Sequence, residues 1–132
     1  SCIMATISFD LVSPENLIFS DDVGMIIVPG KDGDIGVLPG HSKVMSSLRP
    51  GRVMVYSEDK NLLKSFFVSG GFVEINPEKC IVLAESVNEI SELDRSVIEN
   101  EIQELLAANT DDLKDKLKIA EKKIEALNAS FY

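Results

Sequence analysis

An antiparallel β-sandwich of about ten short strands, followed by an antiparallel two-helix hairpin, is the mainly β plus α fold class that this sequence predicts. Three observations carry that expectation. All eight glycines and all five prolines lie within the first 77 residues. Within that stretch, short apolar runs alternate with turn residues at about 8–12-residue spacing. Beyond Pro77 there is no Gly or Pro, and from about residue 88 apolar residues recur at helical spacing. The 132 residues therefore divide into a sandwich domain over 1–87 and a helical hairpin domain over 88–132.

The first strand spans 6–11, where strict alternation puts Ile7, Phe9 and Leu11 on one face. Ser13-Pro14-Glu15-Asn16 reads as a turn. Further strands are expected over 17–19, 23–28, 35–38, 44–48, 53–56, 62–68, 72–75 and 80–84. The links between them are rich in Gly, Pro, Asn and Asp, which leaves no window for a helix. Gly30, Gly33, Gly36 and Gly40 suit tight turns or close backbone approach. Pro29 and Pro39 fix φ just ahead of a glycine, as type II turns require. Gly70-Gly71 lets one strand pass close behind another.

The second part begins with Ser91-Glu92-Leu93-Asp94, which reads as a capping box with Asp94 in place of Glu. Leu93, Val97, Ile98, Ile102, Leu105 and Leu106 follow at helical spacing, up to Ala107-Ala108-Asn109-Thr110. Thr110 is placed to cap the next helix, with Asp111 and Asp112 in its first turn. Leu113, Leu117, Ala120, Ile124 and Leu127 then form a narrow heptad seam. Lys116, Lys118, Lys122 and Lys123 are left to face water or a partner. Two short helices with one narrow stripe each bury little area, at roughly 25 cal/mol per Å². Such a hairpin is marginal alone: it is either a permanently docked appendage or an element that exchanges one docking surface for another.

Composition narrows the function. A formal net charge of −9 repels nucleic acid and anionic lipid, and it favours a basic or neutral protein partner. No apolar stretch approaches the roughly 20 residues of a membrane helix, and no signal-peptide pattern is present. Ser1-Cys2-Ile3 precedes Met4, a residue that suits a native start. Cys2 lies in a terminus, and Cys80 lies in an apolar run that reads as a buried, inert thiol. With no CxxC pair and a single histidine, no zinc site is expected. The glycine-rich loop at 29–40 lacks the following helix and Lys-Ser/Thr of a phosphate loop. His41 with Asp32 or Asp34 is the one arrangement that invites a hydrolase reading, and no nucleophile accompanies it.

Several stretches together point to a family. The run Val28-Pro29-Gly30-Lys31-Asp32-Gly33-Asp34-Ile35-Gly36-Val37-Leu38-Pro39-Gly40-His41 resembles the GVLPGH signature of F-type ATP synthase epsilon subunits. Ser69-Gly70-Gly71-Phe72-Val73-Glu74-Ile75 is similar to a second signature of that family. Val82-Leu83-Ala84-Glu85 and the opening Phe9-Asp10-Leu11-Val12-Ser13-Pro14-Glu15 fit as well. The resemblance covers almost the whole chain, and it extends to mitochondrial delta and plastid epsilon subunits.

The resemblance implies a non-catalytic central-stalk rotor subunit that fastens the gamma subunit to the ring of membrane c subunits. Proton flow would turn that ring and drive ATP synthesis. The expected location is peripheral, on the cytoplasmic face of a bacterial plasma membrane, without direct insertion. Loops at the ring end of the sandwich make Ser13, Asp34 and His41 candidate c-ring contacts. Phe72 and Val73 on a sheet face are candidate gamma contacts. The hairpin would lie folded or extend toward the alpha and beta subunits and inhibit hydrolysis there. Some family members bind ATP through a Leu/Ile-Asp-x-x-Arg-Ala motif. Here only Leu93 and Asp94 match it, and Arg95 lies two positions early, about 200° round the helix from the motif arginine. Helix two carries lysines and no arginine, so no cofactor is expected. The competing reading is a non-catalytic adaptor of another complex with the same architecture.

Overall fold

The computed structural model describes residues 6–108 and 110–129. The expectations for Ser1 to Met4, including Cys2, and for Asn109 lie outside these residues. Ten strands come first: β1 Ile7–Val12, β2 Leu17–Val23, β3 Met25–Gly30, β4 Gly33–Val37, β5 Val44–Leu48, β6 Gly51–Tyr56, β7 Leu62–Val68, β8 Gly71–Ile75, β9 Lys79–Ala84 and β10 Val87–Glu89. Two helices follow, α1 Arg95–Ala108 and α2 Lys114–Ala129, each preceded by a short 3-10 turn.

The strands form one hydrogen-bonded ladder in the order β10-β7-β6-β3-β5-β8-β9-β1-β2, with β4 on the far side of β3. The ladder folds into two leaves where Gly30 of β3 meets Leu48 of β5. One leaf holds β10, β7, β6, β3 and β4, and the other holds β5, β8, β9, β1 and β2. Every pairing is antiparallel except β1 with β9, which runs parallel. That departs from the all-antiparallel expectation. Hairpin connections allow only antiparallel neighbours, whereas β1 and β9 are joined through most of the sandwich.

The pleat sets the core. Ile7, Phe9 and Leu11 are at most 1% exposed, and one apolar cluster takes side chains from both leaves, including Val53, Val55, Phe66, Val73 and Val82. Phe9, Phe19 and Phe66 touch in sequence, with ring centroids 5.9 Å apart at each step. This chain of rings ties β1 and β2 to β7, near the two ends of the ladder. No charged or polar residue is buried among the described residues. Cys80 is fully buried and unpaired, and desolvation pushes its thiol pKa up to about 12, so it stays a neutral thiol.

Local details correct several expectations. The strand expected over 23–28 breaks at Gly24, where a Cβ would lie 2.4 Å from the Ser57 carbonyl oxygen. Pro29-Gly30 is not a turn: both residues stay in β3, and the chain reverses at Lys31-Asp32. Pro39-Gly40 is the expected turn, with Gly40 at φ +84° and the His41 amide donating to the Leu38 carbonyl at 3.1 Å. A tenth strand, Val87–Glu89, pairs with β7 and straddles the expected 87/88 boundary. Asp94, not Ser91, caps α1. Its Oδ1 accepts from the amides of Ser96 at 3.0 Å and Val97 at 3.3 Å. Thr110 takes the cap position of the second 3-10 turn without a side-chain hydrogen bond.

The hairpin is joined to the sandwich by a small second cluster of Phe67, Ile90 and Ala126, with Leu93, Ile119 and Leu127 against it. Helix α2 therefore has two working faces. Ala120 is buried, with Leu113, Leu117 and Ile124 half-buried along the expected seam. Ala126 meets the sheet. Lys116 and Lys118 are exposed as expected, whereas Lys122 and Lys123 are half-buried and turn to the sandwich. Lys123 sets its ammonium 6.0 Å from the Phe67 ring centroid.

Gly71 supplies the tightest backbone approach. It has φ +140°, and a Cβ there would lie 2.1 Å from the Leu83 carbonyl oxygen. Gly36 sits in open space with ordinary φ. Gly71→Ala should therefore cost about 2–4 kcal/mol in urea unfolding, and Gly36→Ala less than about 0.5 kcal/mol. Equal costs at both positions would refute the close-approach account.

Candidate functional site

Strand register builds an apolar row on the outer face of the β5-β8-β9-β1-β2 leaf. Phe72 pairs with Leu83, Leu83 with Val12, and Val12 with Leu17. Phe72, Leu83 and Val12 sit on the face opposite the core, and the irregularity between Leu11 and Val12 brings Leu17 opposite Val12; Phe72, Leu83 and Leu17 are 62%, 52% and 62% exposed. At one end of the row a mostly apolar recess of about 350 Å³ opens between Ser13, Pro14, Phe72, Leu83 and Glu85. Large apolar side chains set side by side on an exposed face are the signature of a contact surface.

The next outward row is different. Met45, Glu74, Ile81, Asp10 and Ser20 stand opposite one another in register. The Ser20 hydroxyl donates to the Asp10 carboxylate at 2.6 Å, and Lys79 sits 3.3 Å from it. The Ser20 bond above all holds the Asp10 carboxyl below its usual range; burial opposes it, and Lys79 adds lesser help. The face thus grades from apolar at the Ser13 end to polar toward the middle of the strands.

Of the candidate gamma contacts, only Phe72 is available. Val73 is 1% exposed and belongs to the core, because adjacent residues on a strand point to opposite faces. The three candidate ring contacts do not meet at one end. Ser13 follows β1, with its amide closing a turn onto the Asn16 carbonyl at 2.9 Å. Asp34 lies opposite Pro29 at the same end and pairs with Arg49 at 2.5 Å. His41 comes beyond the other end of β4. Its neighbour Gly40 donates to the Pro77 carbonyl at 2.8 Å, in the turn between β8 and β9. The length of β4 separates His41 from Asp34 and Asp32, so the hydrolase arrangement is not assembled. The His41 Nδ1 instead lies 2.7 Å from the Ser42 carbonyl.

The degenerate motif at the start of α1 is engaged in structure. Leu93 packs against the Phe67 cluster. Asp94 caps the helix, and the bond from the Ser96 hydroxyl at 2.7 Å, with the Val97 amide next, holds its carboxyl below the usual range. Arg95 donates to the Asn128 side chain of α2 at 2.8 Å, whereas Val97 is 60% exposed. The residue two positions early is thus the one that meets helix two.

Leu17, Val12 and Leu83 were not singled out in the sequence. The available signal was an apolar residue at both parities of a strand, as in 80–84, which equally describes a strand buried on both faces. No cluster of three or more His, Cys, Asp or Glu placed for a metal ion occurs among the described residues. No helix among them is long and apolar enough to cross a membrane.

Residues 6–90 match the family model for the ATP synthase, Delta/Epsilon chain, beta-sandwich domain. The ATP synthase epsilon chain of Rhodospirillum rubrum is 39% identical over 117 residues, which is 89% of this chain and 84% of that one. The ATP synthase epsilon chain of Parvibaculum lavamentivorans is 45% identical over 96 residues, 73% of this chain and 72% of its own. Among solved structures, a chain of the Euglena gracilis mitochondrial ATP synthase superposes with a TM-score of 0.82 at 23% identity, covering 100% of this chain and 85% of that chain. A chain of the Tetrahymena thermophila mitochondrial ATP synthase central stalk and c-ring gives 0.61 at 14% identity, with 96% of each covered. At these identities the two structures speak for the fold.

Proposed function

The chain belongs to the ATP synthase delta/epsilon family, and from that membership we propose that it is an epsilon-type rotor subunit that seats the gamma subunit on its outer apolar row. It is a non-catalytic subunit of the ATP synthase complex. The observation that carries the contact assignment is the row Phe72–Leu83–Val12–Leu17, three of whose members are more than half exposed. Burying side chains of this size contributes roughly 1.5–3 kcal/mol each, enough to hold a stalk partner without a salt-sensitive ion pair.

The end that carries Ser13 and Asp34 is the proposed c-ring contact. A partner on a sheet face and another on the adjoining strand ends would clamp the sandwich in two directions, as torque transmission requires. His41, at the opposite end, is not part of that contact in this proposal. The complex would sit on the cytoplasmic face of a bacterial plasma membrane, with this subunit peripheral to it.

The hairpin is a separate element in this reading. Its small joint at Phe67, Ile90 and Ala126 is compatible with release and with inhibition of hydrolysis from an extended state, in contact with the alpha and beta subunits. ATP is not a ligand in this proposal, since Asp94 is committed to the cap and Val97 stands where the motif has arginine.

Phe72→Asp with Leu83→Asp should leave the chain folded and weaken co-purification with gamma more than about 10-fold. Undiminished capture would overturn the face assignment. Removing residues 93–132 from the assembled complex should raise ATP hydrolysis and spare proton-coupled synthesis. No rise would count against hairpin inhibition. Calorimetric titration of the full chain with ATP should show no micromolar binding, and a micromolar isotherm would restore the nucleotide site.

A further inference from the structure

The edge of the joint between hairpin and sandwich is a groove of about 190 Å³ whose lining includes Asp34, Arg49, Arg52, Lys122, Glu125 and Ala129. Three separate parts of the fold meet there: the start of β4, the β5–β6 turn with β6, and the last turns of α2. The Arg52 Nη1 donates to the carbonyl of Ala129 at 3.3 Å. That carbonyl belongs to the end of α2, where unsatisfied C=O groups concentrate negative partial charge. Lys122 is paired with Glu125 at 3.0 Å along the helix.

Arg49 donates to the Gly30 carbonyl and to the Asp34 carboxylate, both at 2.5 Å, and it lines the same groove as the end of α2. The Arg49–Asp34 pair is 42% and 59% exposed, so solvent and other ions reach it. The charges run Asp34 negative, Arg49 positive, Arg52 positive, helix end negative. Whatever occupies Asp34 alters the share of Arg49's charge that acts on α2.

We infer that the turn carrying Asp34 sets how tightly the hairpin is held: a cationic group of a partner drawn to Asp34 displaces Arg49, whose charge then acts on the carboxyl end of α2 and tightens docking. The device needs no motion of the sandwich. It uses one arginine that bonds Asp34 and lines the groove beside the end of α2. It concerns hairpin docking in the free chain, so it stands whether or not the partner at that end is the c-ring.

The test is amide hydrogen exchange over 120–129 in the full chain at low ionic strength. Asp34→Asn should slow exchange about 2–5-fold, because Arg49 loses its competing carboxylate. Arg49→Gln should speed it by a similar factor, because Asp34 is then uncompensated beside the helix end, and Arg52→Gln should speed it too. In the Arg49→Gln background, Asp34→Asn should no longer slow exchange below the native rate, since the arginine it would free is gone. Trilysine should slow exchange in the native chain and not in Asp34→Asn. Faster or unchanged exchange in Asp34→Asn, or an equal trilysine effect in both chains, would overturn the inference.

Discussion

Two adjacent phenylalanines on β7 hold the two halves of this molecule. The pleat turns Phe66 inward and Phe67 outward. Phe66 closes the ring chain with Phe19 and Phe9, which ties the far strands of the ladder together. Phe67 is fully buried as well, although it stands on the outer face. It is covered by Ile90 and Ala126, with Lys123 over its ring. The sandwich and the hairpin therefore share one strand, and the hairpin's position follows from a side chain that the sheet itself cannot bury.

That arrangement explains the unequal strength of the two halves. The sandwich core draws on both leaves and contains no buried polar residue among those described. The hairpin joint has three buried residues and is trimmed by contacts of modest worth, such as Arg52 to the Ala129 carbonyl. Opening the joint costs far less than unfolding the sandwich. The sandwich is thus the rigid element of the chain, and the hairpin is joined to it through one small cluster.

Much of the fold was legible. Nine strand positions, the Pro39-Gly40 turn, the close approach at Gly71, the inert Cys80 and the two helices all followed from period, turn chemistry and burial rules. The misreadings share a cause. Val73 cannot be told from Phe72 by composition, since only register with β5 and β9 decides which one faces the core. Lys122 and Lys123 read as facing water or a partner because a heptad seam shows one apolar face, while the second face of α2 is built from Ile119, Ala126 and lysine stems, with Leu127 at its edge. Asp94 rather than Ser91 caps α1, since Ser91 lies in the 3-10 turn Ile90–Glu92 whose Ile90 is buried in the joint.

By itself, the sequence determined the local alphabet of this protein: alternating strands, glycine-permitted turns, two amphipathic helices, and a run of signatures that match one family in order. Those features depend on neighbours a few residues apart, and side-chain period and φ preference suffice to express them. Tertiary structure alone decided the apolar row across β8, β9, β1 and β2, the separation of His41 from Asp34, and the meeting of Asp34, Arg49 and the end of α2 in one groove. Each of these joins residues far apart in the chain through strand register and leaf packing, and no local rule encodes which distant strand becomes a neighbour. The apolar row is therefore a property of the ladder, and of its members only Phe72 was marked out by the sequence.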